Sequence, residues 1–316
     1  MNDTGGWSAP DEGRPQDPVP PPTPGPMPPQ QPYYQAPPKP GVIPLRPLGV
    51  GEILDGAIAT IRRYPKQMLG LSALVAVVSN VLSVGTLTLL RTQTSYLASD
   101  LPLNANDLDI ASDNLRIALL ATIPTVVINL LTQVVLAGML TIVVGKAILG
   151  QPITAREAWR QVVPRFWPLL GASLLYTLMI IGGTVALIIP AVWLYVLFSL
   201  TSNALMLEGA KVGRAFGRSR ELVNQAWWRT FGILLLASLI TGILAYIVNI
   251  PFTLITGGLG TPTMSLGATI LIVTIGQIIA DTIVQPFVSG VTTLVYIDRR
   301  IRREGLDIQL ARQAAG

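Results

Sequence analysis

The sequence contains no cysteine and no histidine. The missing cysteines exclude disulfide bonds, thiol redox chemistry and zinc sites with cysteine ligands. The missing histidines remove the commonest metal ligand and the commonest general base at neutral pH. The chain also has no glycine loop of the phosphate-binding type and no serine–histidine–aspartate set. Together these absences predict a protein that holds no metal or other cofactor, and they disfavour an enzyme.

Charged residues are scarce. They make up 12% of the 316 residues, whereas 50% are hydrophobic and the mean hydropathy is +0.54. A soluble domain carries about 25% charged residues. Because so few charges cannot cover a globular surface, lipid must cover much of it. The composition therefore predicts a membrane protein.

The first 44 residues differ in composition from the rest of the chain. Residues 1–47 hold 16 of the 26 prolines, including the dense run at 18–24. Such a segment cannot bury a core and is expected to be disordered, with polyproline II character. It lacks the basic and apolar regions of a signal peptide. We interpret residues 1–44 as a disordered cytoplasmic tail, which is either a ligand for a proline-binding protein partner or a solvated spacer.

Six apolar stretches are long enough to cross the hydrocarbon core, which takes about 20 helical residues. They are residues 68–90, 117–144, 169–189, 190–207, 230–250 and 266–296. The third and fourth are expected to form a hairpin broken near Gly182-Gly183 or Pro190, because proline disrupts a continuing helix. The predicted fold is all-α and polytopic, with a transmembrane domain at 45–305 and a short cytoplasmic tail at 306–316.

Positive charge alternates with neutral or acidic charge between these stretches. Segments 45–67, 145–168, 208–229 and 297–312 carry an excess of arginine and lysine, whereas loops 91–116 and 251–265 do not. Loops rich in arginine and lysine stay on the cytoplasmic side. The pattern therefore predicts a multi-pass protein of the plasma (inner) membrane with both termini in the cytoplasm.

A basic amphipathic stretch followed by a glycine and an apolar run occurs three times, at residues 50–70, 154–171 and 212–232. The first and third copies align at a constant offset of 162, which pairs Gly51 with Gly213 and Gly70 with Gly232. Thr154 and Glu157 have the spacing of a capping box, which predicts the start of the middle helix. We therefore expect three units, each an interfacial amphipathic helix followed by a two-helix hairpin.

Basic amphipathic helices with aromatic ends are typical of the headgroup plane of a bilayer. They either anchor the spans or recognise anionic lipids, and the sequence leaves both open. The partner is the lipid bilayer rather than nucleic acid, because the tryptophans and arginines lie beside the spans. The candidate headgroup-contacting residues are Arg62, Arg63, Lys66, Arg160, Arg165, Trp167, Arg214, Arg218, Trp227, Trp228 and Arg229.

Asp281 is the one acid deep within a predicted span. Gln277 and Gln285 lie four residues to either side, so the three side chains share one helix face. At a constant offset of 152, Asn129 matches Asp281 and Gln133 matches Gln285. A charged group inside the membrane points to a functional site, here a polar or proton-linked path between the second and sixth spans. The structural alternative is that Asp281 is protonated, or hydrogen-bonded to Asn129 or Gln133, and holds the repeats together.

The same offset of 152 pairs Gly138 with Gly290 and Thr141 with Thr293. Small residues let membrane helices approach each other closely. The two glycines are therefore expected at a contact between repeats.

Several motifs carry a resemblance to a known family. The third unit contains Leu207-Glu208-Gly209 and the stretches 215–219 and 227–232, and further motifs lie at 44–55 and 296–307. Over about residues 44–310 these motifs resemble a bacterial, actinobacterial-type family of six-span integral membrane proteins. That family is related to the membrane domain attached to some glycerophosphoryl diester phosphodiesterases.

The resemblance implies the fold but transfers no activity. The phosphodiesterases use a separate catalytic barrel with histidines and metal-binding acids, and this chain has no histidine and no room for that barrel. We expect a non-enzymatic protein that organises membrane or envelope lipids or membrane partners. The alternative is a small-molecule or lipid-linked transporter with its polar site near Asp281. A membrane-embedded lipid enzyme is disfavoured, because only isolated acids are present.

Overall fold

The computed structural model describes residues 41–305 except 45, 100–106, 152, 187 and 258–263. This described part is helical and contains no strand. Its helices are α1 Val50–Arg63, α2 Pro65–Ser99, α3 Asp107–Ile148, α4 Ala155–Val162, α5 Phe166–Ala186, α6 Ile188–Phe198, α7 Thr201–Glu208, α8 Val212–Asn224, α9 Trp227–Ile255 and α10 Leu266–Glu304, and the 3-10 turn Val163–Arg165 joins α4 to α5. Six helical segments are long and apolar enough to span a membrane, which confirms the all-α polytopic class.

Two helices extend beyond the predicted spans. The segment 91–116, predicted as a loop, is helical at 91–99 and again from Asp107 onward. The prediction was wrong because hydropathy marks the part of a helix that lipid covers, not its end. Neither stretch contains proline or glycine, so nothing in its sequence ends the helix.

The hairpin of the second unit is confirmed close to its predicted position. Helix α5 ends at Ala186 and α6 begins at Ile188, so Pro190 lies in the first turn of α6. A Cβ added at Gly183 would lie 3.0 Å from the Cα of Ala191. Glycine at this position therefore allows the two arms of the hairpin to meet.

The three amphipathic helices α1, α4 and α8 form as predicted, and the Thr154–Glu157 capping box starts α4. Each of them packs on the second span of the preceding unit. A Cβ added at Gly138 of α3 would lie 3.3 Å from Val162 of α4, and one added at Gly290 of α10 would lie 3.0 Å from Ala57 of α1. Helix α8 packs on α6 and α7. The expected position of both glycines at contacts between units is confirmed, and α1 on α10 closes the units into a ring.

The packed domain includes residues assigned from the sequence to the tail. Ile43 is 2% exposed and belongs to the core, as does Leu48 just after the predicted boundary, which is 0% exposed. A Cβ added at Gly41 would lie 2.2 Å from the carbonyl oxygen of Ile148, at the end of α3. The predicted boundary after residue 44 was wrong because proline content hid the short apolar stretch Val42-Ile43. The rest of the predicted tail, residues 1–40, and the tail at 306–316 lie outside the described residues.

Candidate functional site

Asp281 is half-buried on α10. Its carboxylate accepts a hydrogen bond from Nε2 of Gln277 at 3.1 Å and one from Nδ2 of Asn80 at 3.4 Å. Asn80 belongs to α2. The structural alternative named Asn129 or Gln133 on α3 as possible partners, and among the described residues Asp281 has no hydrogen bond to either of them. The sequence could not show that an amide on α2 occupies this position.

Asn129 also forms a hydrogen bond with α2, through Ser79, the residue before Asn80. The Ser79 hydroxyl donates to Oδ1 of Asn129 at 3.1 Å, and the Thr132 hydroxyl donates to that of Ser79 at 3.1 Å. Ser79 and Asn80 are consecutive, so α2 connects one polar group on α3 with another on α10. Polar contacts of this kind hold membrane helices together. The geometry around Asp281 therefore favours the structural alternative.

Asp281→Asn is expected to change the free energy of unfolding by no more than about 1 kcal/mol, because hydrogen bonds between membrane helices average about 0.6 kcal/mol. The amide oxygen of asparagine can still accept from Gln277 or Asn80. Unfolding by sodium dodecyl sulfate, with Asn129→Leu on the equivalent contact for comparison, measures the effect. A loss several times larger would show that the carboxylate charge itself holds α2 against α10.

Gln133 and Gln285 line a cavity of about 320 Å³ between α3, α5, α10 and the junction of α6 with α7. Its lining contains amides and hydroxyls and, among the described residues, no aspartate, glutamate, lysine or arginine. Such groups donate and accept hydrogen bonds without carrying charge. The polar residues of this polar cavity are Gln133, Thr141, Ser173, Tyr176, Thr177, Ser199, Ser202, Asn203, Gln285, Ser289 and Thr292.

The fourth span is broken where it meets the polar cavity. Helix α6 ends at Phe198 and α7 begins at Thr201, in the middle of the candidate span 188–208. The backbone N–H of Leu200 donates to the Ser219 hydroxyl at 3.3 Å, and that hydroxyl donates to the Leu197 carbonyl at 2.8 Å. Irregular backbone within a membrane is tolerated where protein satisfies it or where it lines a cavity. Both conditions hold here, because α8 supplies Ser219 and because Ser199 lines the cavity.

Asn203 joins the second spans of all three units. Its Oδ1 accepts from the hydroxyl of Thr141 on α3 at 2.9 Å and from that of Thr293 on α10 at 3.5 Å. All three side chains are buried. The sequence pairs Thr141 with Thr293 but gives no sign that Asn203 lies between them. We call Thr141, Asn203 and Thr293 the central node.

The predicted headgroup-contacting residues fall into two groups. Arg218 pairs with Glu208 at 3.1 Å and with Glu304, and Arg229 pairs with Asp298 at 3.5 Å, so protein carboxylates neutralise both cations. Arg165 donates to the carbonyl of Met206, and Trp227 stacks on Phe231. The exposed members are Arg62, Arg63, Lys66, Arg160, Trp167, Arg214 and Trp228. For this exposed group headgroup contact stays a prediction.

Sequence reasoning missed the buried carboxylate of Asp298, which is 0% exposed near the end of α10. It accepts from the backbone N–H of Leu48 at 2.9 Å and from Nε of Arg302 at 2.9 Å, and it pairs with Arg229. Arg229 and Arg302 also donate to the Leu48 carbonyl. Asp298 thus ties the segment before α1 to α9 and α10.

Residues 113–298 match a family described as a domain of unknown function, DUF7847. This range contains every residue that lines the polar cavity. No curated protein and no solved structure matches the chain. The resemblance to the membrane domain of glycerophosphoryl diester phosphodiesterases stays a prediction.

Proposed function

The chain belongs to the DUF7847 family, and we propose that it is a non-enzymatic multi-pass membrane protein that binds a small uncharged polar molecule, or the uncharged polar part of a lipid-linked one, in the polar cavity. The observation that carries the proposal is the break at Ser199-Leu200, which opens the middle of a span onto this cavity. Broken spans at the interface between repeats are where membrane transporters place their substrates.

The chemistry of the lining supports an uncharged ligand. The volume of about 320 Å³ falls at the lower end of the range for small-molecule sites. Serine and threonine hydroxyls and the amides of Gln133 and Gln285 donate and accept equally, which suits hydroxyl or amide groups. A charged ligand would lose its hydration without meeting an opposite charge, which is costly.

The binding site proposed here is the polar cavity, whereas the transporter alternative from the sequence placed it near Asp281. Gln285 lines the polar cavity, whereas Asp281, one helical turn before it, does not. The central node gives the site a connection to all three units, because Asn203 bonds to Thr141 and Thr293. A rearrangement of one unit against the others would have to break at least one of these bonds.

A single cysteine tests whether water reaches the polar cavity, because the chain has no cysteine of its own. Ser202→Cys is expected to react with a small water-soluble methanethiosulfonate reagent at least about tenfold faster than Ser72→Cys, since the reacting species is a hydrated thiolate. Ser202 lines the cavity, whereas Ser72 is 0% exposed and lines no described cavity. Labelling rates by mass spectrometry give the comparison.

Equal protection of both cysteines would mean a packed, dry interior and would contradict a binding cavity. Asp281→Asn added to Ser202→Cys should leave the labelling rate unchanged, because Asp281 does not line the cavity.

Gentle purification followed by mass spectrometry of bound molecules tests the ligand itself. A compound enriched on the wild type and lost from Gln133→Leu/Gln285→Leu would identify it.

Organisation of envelope lipids or membrane partners is a second proposal, supported by a separate observation. Trp167 and Trp228 are 76% and 79% exposed, and each lies near the start of a span. Exposed tryptophan is favoured at the headgroup level. We propose that this end of the bundle faces the cytoplasm at the plasma membrane, which the exposed cations Arg62, Arg160 and Arg214 support.

A further inference from the structure

A second cavity, of about 330 Å³, lies between the C-terminal parts of α3, α7 and α10 and the 3-10 turn before α5. We call it the basic cavity. Three cations, Lys146, Arg165 and Arg300, line it together with Gln161 and Gly145. Its described lining contains no carboxylate. The apolar residues of its wall are Ile142, Ile148, Leu149, Met206, Leu207 and Ile297.

Two of the three cations have no carboxylate partner among the described residues. Nζ of Lys146 donates to the side-chain oxygen of Gln151 at 2.9 Å, and Arg165 donates to the backbone carbonyl of Met206. Both acceptors are neutral, so neither bond cancels the charge. Glu157 interacts electrostatically with Lys146, but it is exposed and its carboxylate caps α4.

Protein carboxylates neutralise the charge of the third cation. Arg300 pairs with Glu304 at 3.1 Å and with Glu208 at 3.4 Å. The same two carboxylates hold Arg218. Two acids thus neutralise two arginines, and the positive charge left over at the cavity is that of Lys146 and Arg165.

The local backbone holds Arg165 in place. Gly209 follows α7 with a φ of 66°, in the left-handed region, and a Cβ there would lie 3.0 Å from Nη2 of Arg165. Glycine therefore leaves the room that the guanidinium fills. Its bond to Met206 uses one amino group of a side chain that carries five N–H donors.

The polar and basic cavities follow one another along the same elements. On α3 the lining passes from Thr141 to Gly145, and on α7 from Asn203 to Met206. The central node lies at the boundary between them. The basic cavity is therefore a separate site with its own chemistry. It lies beyond the polar cavity, toward the C-terminal ends of α3 and α7.

We propose that the basic cavity binds the phosphate of an anionic lipid, with the first part of an acyl chain along its apolar wall. Lysine and arginine are the side chains that bind phosphate oxygens best. Basic pockets between spans are known to take phospholipid headgroups. A lipid is favoured over free phosphate because six apolar side chains share the lining with the cations.

The test uses the purified full-length protein in phosphatidylcholine nanodiscs containing a small fraction of phosphatidylglycerol. Native mass spectrometry after release from the nanodisc counts the phosphatidylglycerol that stays bound. Lys146→Gln/Arg165→Gln is expected to bind phosphatidylglycerol about tenfold or more weakly than the wild type, given the contribution of each basic residue to anionic-lipid binding. The matched control is Lys211→Gln/Arg220→Gln, which removes two exposed cations at α8 that do not line the basic cavity, and it should bind normally.

An equal loss in the control variant would show general surface attraction and overturn the site. Competition by inorganic phosphate as strong as that of the lipid would show an anion site without a lipid and overturn the acyl-chain assignment. If the double variant fails to fold, Lys146→Gln alone decides, since its side chain bonds to Gln151 alone among the described residues. That single variant is expected to bind about fivefold more weakly, and unchanged binding would overturn the proposal.

Discussion

Asp298→Ala is expected to lower the free energy of unfolding by about 2–3 kcal/mol, because it removes the acceptor of the Leu48 backbone N–H and the counter-charge of two arginines whose side chains are 31% and 34% exposed. The wild-type carboxylate is fully buried and accepts from Leu48 and Arg302 while pairing with Arg229. Its loss leaves two guanidiniums facing each other without a counter-charge. Arg299, which is 5% exposed, adds a third cation beside them.

Unfolding by sodium dodecyl sulfate in mixed micelles measures this effect. The matched control is Asp55→Ala, which removes an exposed acid from α1 and should change the free energy of unfolding by less than about 0.5 kcal/mol. Adding Arg302→Gln to Asp298→Ala should cost less than the two single losses together, because the residues share one interaction. A loss at Asp298 as small as at Asp55 would contradict the role given to this carboxylate.

Gly290→Leu is expected to displace α1 from α10 and to lower the free energy of unfolding by about 1–3 kcal/mol or more, as overpacking does. A Cβ at Gly290 would already lie 3.0 Å from the Cβ of Ala57 and 3.3 Å from its Cα. Neither atom can move without shifting the helix. Unfolding by sodium dodecyl sulfate measures the loss of stability, and protease cleavage before α1 measures its displacement.

Two other glycines provide the controls for Gly290. Gly232→Leu should be tolerated, because no atom lies within 4 Å of a Cβ there. Gly138→Leu should fall between them, because the nearest atom is the end of the Leu169 side chain, which can turn away, whereas the Val162 methyl groups beside it cannot. Equal tolerance of all three substitutions would contradict the close packing of α1 on α10.

Hydropathy, charge and repeat spacing were enough to predict the spans and the amphipathic helices. They also predicted that Gly138 and Gly290 occupy equivalent positions at contacts between units. These features follow from patterns within one helix or between copies of one unit. The break at Ser199-Leu200 could not be predicted in this way, since neither proline nor glycine occurs there. It depends on Ser219, which reaches it from another helix.

Prediction from the sequence was limited in the same way at the polar face of the sixth span, which forms part of the candidate site. Spacing correctly predicted that Gln277, Asp281 and Gln285 share a face, and Gln277 does donate to Asp281. It could not show that Asn80 of α2 donates to Asp281, or that Gln285 lines a cavity that Asp281 does not. The partners of a polar side chain are set by which helices become neighbours, and one helix does not contain that information.

The contact between α1 and α10 has a consequence for biosynthesis. Leu48 and its acceptor Asp298 are 250 residues apart, and at about 5–20 residues per second the ribosome needs roughly 10–50 s to make the chain between them. During that interval the first unit can already be inserted, but the buried face of α1 has no α10 to cover it. The ring closes only after α10 has been made, so a nascent chain that stops before α10 exposes a surface for proteases and chaperones to recognise.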